Sequence, residues 1–250
     1  MSDLNLRSYI ITSRDFPLPP ERAAFPVMAK GGFVPAGRAY VTDATGDNVA
    51  HMSSQWAEMT AMYWVWKNAS DADLVSFPHF RRFFWAVPSG PYFSPGSTFH
   101  VDPSETNLEA LTSPASVDRI KQIMTYTDVI VPRRRAFDTS VADQYRAVGL
   151  PQWDLFIEAC QALGPQYAAA GAYFDQVNSI SCYNMFVMKW AQFDHYMETL
   201  FTLLKFVAER VELEHKVPAH MAERFLNLYI HVNHLSTMEL PVALLEASAY

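Results

Sequence analysis

Apolar side chains recur at helical spacing through residues 56–66. Glu58, Ala61, Met62 and Val65 share one stripe, and Met59, Tyr63 and Trp66 fill the stripe beside it. The turn-forming run Asn68-Ala69-Ser70-Asp71 closes this helix. Residues 74–77 form a short apolar run of strand type, and Pro78 limits how far it pairs as a central strand. Residues 6–12 read as a first strand and 25–28 as a short one. Further helices are expected over 117–126, 140–147, 152–163, 167–177, 190–211 and 218–231. Further strands are expected over 127–132, 181–189 and 238–242. Residues 88–103, rich in Pro, Gly and Ser, read as a surface excursion that can act as a flap over a site.

With 250 residues, half of them hydrophobic, the chain has material for a sizeable core in one domain. Its formal net charge of -7 argues against a general nucleic-acid or anionic-membrane binder. Two cysteines, Cys160 and Cys182, fit neither a zinc knuckle nor a disulfide scaffold. They fit a reducing cytoplasm, and Cys160 falls on a core stripe. No apolar run near the N-terminus is long enough for a secretory signal, and none elsewhere is long enough to span a membrane. The expectation is a soluble cytoplasmic protein, with peripheral association to a larger assembly open.

The chemistry-bearing residues gather after strands. In open α/β sheets the carboxyl ends of the strands are where ligands bind. His79-Phe80-Arg81 follows the strand at 74–77. On an extended segment His79 and Arg81 would face a ligand together, with Phe80 packed away and Arg82 pointing to the other side. Arginine offers a fixed fork of donors to phosphate oxygens. Arg133, Arg134 and Arg135 follow the strand at 127–132, so an anionic ligand between the two strand ends is expected. Asp43 and Asp47 in the segment 40–48 are candidates for a ribose hydroxyl or a metal, against a plain helix-capping loop. Asp71-Ala72-Asp73 precedes its strand and reads as a solvated turn; Lys30-Gly31-Gly32 is weighed as an approach to a phosphate against a plain turn, and Ser13-Arg14-Asp15 as a ligand-facing loop against the end of an ordinary edge strand, the plain reading being favoured in both. Asn184 interrupts an apolar run, as a partnered buried amide or a ligand contact. Glu223 is a candidate base or a helix-surface carboxylate, and His231 and His234 lack an evident third metal ligand.

Several segments in order carry a resemblance. They are TGDNVA (45–50), AEMTAMYWVWKN (57–68), HFRRFF (79–84), DVIVPRRR (128–135), NMFVMKWAQFDHY (184–196) and AERFLNLYI (222–230). Together the chain resembles a bacterial glycosyltransferase-like family of capsular and exopolysaccharide gene clusters, long labelled of unknown function. Its members show TGDNIS, CELTALYWxWKN, HYRRYF, DxILP and NMFIMK segments and a terminal SERLL-type helix. The resemblance implies a GT-A-like, Rossmann-like α/β fold: a mixed sheet flanked by helices in a single domain over 1–250. Residues 1–135 would form the nucleotide-sugar half and 136–250 the acceptor-side, helical half.

The implied activity is that of a hexosyltransferase-like glycosyltransferase. It would move sugar from a nucleotide diphosphate sugar to a carbohydrate acceptor in capsule, exopolysaccharide or lipopolysaccharide synthesis. Asp47, Asn48, Glu58, Lys67, Asn68, His79, Arg81, Arg82, Asn184 and Glu223 fall on matching motif positions. Arg81, His79 and Glu223 are the catalytic candidates. Asp43, Asp47, Asn48, Glu58, Arg82, Arg133 and Asn184 are the donor-binding candidates. Arg81, helped by His79 and Arg133, would take the place of a cation at the leaving diphosphate, with no residue assigned as a metal ligand. Manganese or magnesium held by Asp43, Asp47 or His79 is the alternative. The chain departs from the family at Ser13, at Gln144-Tyr145 and Trp153, and at Ala219-His220-Met221, where members carry histidines or Gly-Phe. Those departures motivate a second expectation, a non-catalytic homologue that binds sugar nucleotide or scaffolds an assembly complex.

Overall fold

The computed structural model of the chain describes residues 4–87, 97–148, 150–214 and 216–246. In chain order the strands are β1 (Leu6–Ser8), β2 (Ile10–Thr12), β3 (Val27–Ala29), β4 (Val41–Thr42), β5 (Leu74–Ser76), β6 (Arg82–Phe84), β7 (Thr98–Val101), β8 (Val129–Pro132), β9 (Arg135–Ala136), β10 (Ser179–Ile180), β11 (Val187–Lys189), β12 (Thr237–Leu240) and β13 (Val242–Leu245). The helices are α1 (Ser53–Trp56), α2 (Met59–Asn68), α3 (Glu105–Thr112), α4 (Pro114–Ile123), α5 (Val141–Ala147), α6 (Trp153–Ala162), α7 (Ala170–Gln176), α8 (Trp190–Ala208) and α9 (Val217–Val232).

The main sheet runs β1-β5-β11-β8-β12. β11 is antiparallel to both its neighbours, while β1 with β5 and β8 with β12 are parallel pairs. The first strand extends this sheet in the other direction because its amides alternate sides. Tyr9 and Ile11 donate to the carbonyls of Ser76 and Pro78, whereas Ser8 and Ile10 donate to those of Ala24 and Pro26. β2, β3 and β4 therefore continue the sheet with parallel pairing.

The interior strands are apolar on both sides, as strands covered on two faces require. Val75, Val129, Val131 and Met188 face a large cluster built with α2, α5, α6, α8 and α9. Their neighbours Leu74, Ile130 and Val187 face a smaller cluster with Ile120 and Ile123 of α4. This is the period-two alternation of a strand. A second sheet, β6-β13-β7, packs Phe83 and Ala243 against Leu108 and Leu111 of α3. The architecture is a mixed α/β fold.

Four expectations need correction. The strand expected over 181–189 is confined to Val187–Lys189, because Tyr183 and Asn184 adopt positive φ (79° and 51°) and make a turn. The segment 79–82 is not extended: His79 and Arg82 exchange both backbone hydrogen bonds, so Phe80 and Arg81 occupy the tip of a tight turn. His79 and Arg81 consequently do not project together. Within 88–103, residues 98–101 form β7, and the rest of that expected flap lies in large part (88–96) outside the described residues. The expected final strand is split by Pro241, whose carbonyl accepts from the Trp85 amide.

Candidate active site

Three parallel strand ends meet at one cavity of about 670 Å³. β2 leads into Ser13 and Arg14, β3 into Lys30 and Gly31, and the chain after β5 into His79 and Phe80; all six line it. The opposite wall is His51, Ser53, Ala57, Glu58 and neighbours, with Lys216 arriving from the start of α9. The chain as a whole carries -7, yet this lining holds Arg14, Lys30, Lys216 and two histidines against the single carboxylate of Glu58. Such a cavity selects anions.

The close packing behind it explains the local sequence. Asp43 follows β4 and is fully buried, with both oxygens engaged: Oδ1 accepts from the Gly31 amide at 3.0 Å and Oδ2 from the Thr60 hydroxyl at 2.6 Å. It fixes the turn that presents Lys30. Gly31 sits at φ +66°, where a Cβ would lie 2.5 Å from Ser53 Oγ, so the helical wall approaches only because no side chain intervenes. Lys30 Nζ donates to Ser53 Oγ at 2.7 Å. Burial lowers the pKa of its ammonium, and Asp43 and Glu58 oppose that shift.

His79 is pinned between β2 and the turn, bridging Ile11 on one side and Arg82 on the other. The residue is half-buried, but its Nε2 is shut off from solvent and has no hydrogen-bond partner among the described residues. Burial pushes its pKa down; Glu58 pulls it up, and Arg82, Arg81 and Lys30 push further down. A buried imidazole nitrogen without a partner is costly unless something is meant to meet it.

Glu58 is held from the far end of the chain. Asn184 Nδ2 donates to Glu58 Oε1 at 2.8 Å and to the Ala219 carbonyl at 2.9 Å. Asn184 is 3% exposed; its Nδ2 is fully used, while its buried Oδ1 has no hydrogen-bond partner among the described residues. The left-handed turn that carries it is secured by Glu223, which accepts from the Tyr183 amide with Oε1 and from Arg224 Nη1 at 2.6 Å with Oε2. Arg224 also donates to Gln144 Oε1 at 2.8 Å. Both oxygens of Glu223 are therefore taken up inside the fold.

Six non-glycine residues among those described have positive φ, and four of them, Ala57, Tyr183, Asn184 and Lys216, gather here. Strained backbone collects where the fold holds functional groups in place.

The remaining predicted residues are dispersed. Arg82 lies with its guanidinium 4.6 Å from the Tyr183 ring, close enough to Glu58 and Glu223 for their charges to act on it. Arg81 faces Glu246 at 3.6 Å, outside the cavity lining. Asp47 and Asn48 sit at the other end of α2, where Asn68 holds the Asp47 amide and Tyr63 donates to Asp47 Oδ1 at 3.0 Å. The Arg133 amide donates to the Leu240 carbonyl, and Arg134 lines a different cavity. Sequence reasoning set Arg14 and Lys30 aside in favour of an edge strand and a plain turn, and missed Lys216. The first two were legible as cations directly after strands; Lys216 was not, since only the fold brings it near.

That different cavity, of about 830 Å³, is larger and lies toward the edge strand β12. The smaller one is the better candidate for chemistry because three strand ends, three cations and the unpartnered imidazole meet there. Among the described residues no three His, Cys, Asp or Glu are grouped to hold a metal ion, and no helix is long and apolar enough to cross a membrane.

No curated protein matches the chain. Its fold is shared with the apo structure of the bifunctional glycosyltransferase WbbM, at a TM-score of 0.84 and 23% sequence identity. The match covers 97% of this chain and 45% of WbbM, so the chain spans less than half that protein's length. Residues 7–234 match the family described as "Domain of unknown function (DUF4422)", and the chain belongs to that family.

Proposed function

We propose that the protein is a glycosyltransferase that moves a sugar from a nucleotide diphosphate sugar to a carbohydrate acceptor in the synthesis of a capsule, exopolysaccharide or lipopolysaccharide. The observation that carries this reading is the cation-rich cavity at three parallel strand ends. The fold shared with WbbM, a bifunctional glycosyltransferase, points to the same class.

In such a reaction the leaving group is a nucleoside diphosphate, whose growing charge has to be stabilised. Arg14, Lys30 and Lys216 are the cations positioned to do so, in place of Arg81, which is turned toward Glu246. Lys30 is anchored on Ser53 Oγ, so its placement requires no rearrangement as charge develops. Glu58 is the carboxylate that faces the cavity, and in this reading it accepts the acceptor hydroxyl's proton. Glu223 instead positions Glu58 indirectly, through the Tyr183–Asn184 turn. His79 offers Nε2 to a donor oxygen. Asp43 positions Lys30 rather than touching the nucleoside.

A thermal-shift screen of nucleotide sugars, with and without manganese or magnesium, tests the reading. A ligand of the folded state raises the melting temperature. The expected result is a shift by one nucleotide diphosphate sugar that disappears in Lys30→Ala and Lys216→Ala. A shift of the same size in both variants, or none with any nucleotide sugar, would remove the proposal.

A second reading is a homologue that binds a sugar nucleotide without turning it over. It is favoured by Ser13, which lines the cavity where the resembling family carries histidine. Binding with neither donor hydrolysis nor transfer to any acceptor would select it.

A further inference from the structure

We propose that the second cavity is a carbohydrate-binding groove that holds sugar units of the acceptor chain. Sugar binding there stands independently, while the acceptor role rests on the transfer reading.

The groove runs between α7, the carboxyl end of α9 and the edge strand β12. Its floor is built of buried groups whose hydrogen bonds are already made: Asn227 accepts from the Ser181 amide at 2.9 Å and donates to the carbonyls of Ser181 and Glu223. Its side is aromatic. Tyr173 and His231 both line it, with ring centroids 4.6 Å apart and planes 27° apart. Its rim is exposed and rich in planar hydrogen-bonding groups: Arg134, Glu239 and Gln176.

These parts fit a polyhydroxylated ring. The carbon-bound hydrogens of a sugar face pack on an aromatic surface, and its hydroxyls each need a donor and an acceptor. Arginine supplies only donors and a carboxylate only acceptors, while an amide supplies both. Arg134 and Glu239 pair through Nε and Oε1 at 3.8 Å, which largely balances the charge. A groove for a phosphate would leave its cations unbalanced, as the first cavity does.

The position also fits. Ser181 lies in this groove, and Asn184, three residues on, holds Glu58 in the first cavity. Three peptide steps span at most about 11 Å. The groove and the first cavity are thus neighbours in the fold, linked through the Ser181–Asn184 segment.

The test is binding of the whole protein to an array of defined oligosaccharides, followed by calorimetric titration of the tightest one. His231→Ala and Arg134→Ala are expected to weaken binding about tenfold or more, and Glu198→Ala, exposed on α8 and lining neither cavity, to leave it within about twofold. Both altered residues are exposed at the rim; if either variant melts early, Gln176→Ala takes its place. Absence of any bound oligosaccharide overturns the proposal, as does binding unchanged in the rim variants or displaced by inorganic phosphate. Nucleotide-sugar binding without oligosaccharide binding sinks this inference alone. Oligosaccharide binding lost in the rim variants, without any nucleotide-sugar binding, supports it and sinks the transfer reading.

Discussion

Asn184 donates a 2.8 Å hydrogen bond to Glu58 across 126 residues of chain. The two are joined only in the folded state, and the bond sets the one carboxylate of the cavity opposite its cations. Asn184 does this from a left-handed backbone (φ 51°), a conformation asparagine tolerates better than most residues. Asn184→Ala loses both side-chain bonds and keeps the backbone cost, so a loss of about 2–3 kcal/mol is expected. Asn184→Gly should be milder because it removes the backbone cost. Urea unfolding of the two variants decides; an alanine variant as stable as the glycine one contradicts the account.

Asp43 should matter as much, although it does not line the cavity. Asp43→Ala leaves the Gly31 amide without its acceptor and the Thr60 hydroxyl with only the Ala57 carbonyl at 3.3 Å, a loss of about 2 kcal/mol. Adding Thr60→Ala should cost less than the sum of the single changes, since they share one interaction. Additive losses in the double-mutant cycle would show that the pair is not coupled.

Two half-buried histidines, His79 and His220, predict the acid side of the stability curve. Burial lowers the pKa of His79 and of His220 below the ordinary value of 6.5. Below about 6.5 the unfolded chain therefore takes up protons that the native rings refuse. Their contribution is fully present above that pH and declines as pH falls through the lowered folded values. Ring titration by NMR should place both below 6.5, and a midpoint at or above it for either ring contradicts this.

Gly46 has φ +58°, and a Cβ there would fall 2.1 Å from Asn68 Oδ1. That oxygen accepts from the Asp47 amide. Gly46→Ala should destabilise by about 1–2 kcal/mol and free the 45–48 loop from α2. Amide exchange at Asp47 reports it: unchanged protection would mean that Asn68 moves aside without loss.

Both thiols are buried, with Cys182 pushed up to about 12 and Cys160 higher still by loss of solvation. Native protein at pH 8 should resist iodoacetamide, and labelling should track global unfolding. Rapid labelling of either cysteine in the native state would contradict the packing.

Periodicity made much of this fold legible. Residues 6–12, the helix ending at Asn68, the strand at Val129–Pro132 and the long helix α8 follow from apolar spacing, because burial rewards that spacing wherever the element sits. Two turns did not follow. Tyr183–Asn184 lies in an apolar run of strand type, and its left-handed backbone is imposed by Glu223 and Glu58 from elsewhere in the chain. The Phe80–Arg81 tip reverses a segment whose composition reads as extended, which carried Arg81 away from His79. Of the site itself, His79 and Glu58 were visible from motif positions, whereas Lys216 reaches the cavity only through the fold.

The placement of β11 has a consequence for biogenesis. This antiparallel strand separates β5 from β8 and is hydrogen-bonded to both. A nascent chain that has emerged only as far as residue 135 holds β1, β5 and β8 but lacks the piece that joins them. The central sheet has to wait for Lys189, and its assembly is correspondingly non-local and slow. Until then the apolar flanks of β5 and β8 are open to the wrong partners, which makes the protein a natural client for chaperones during synthesis.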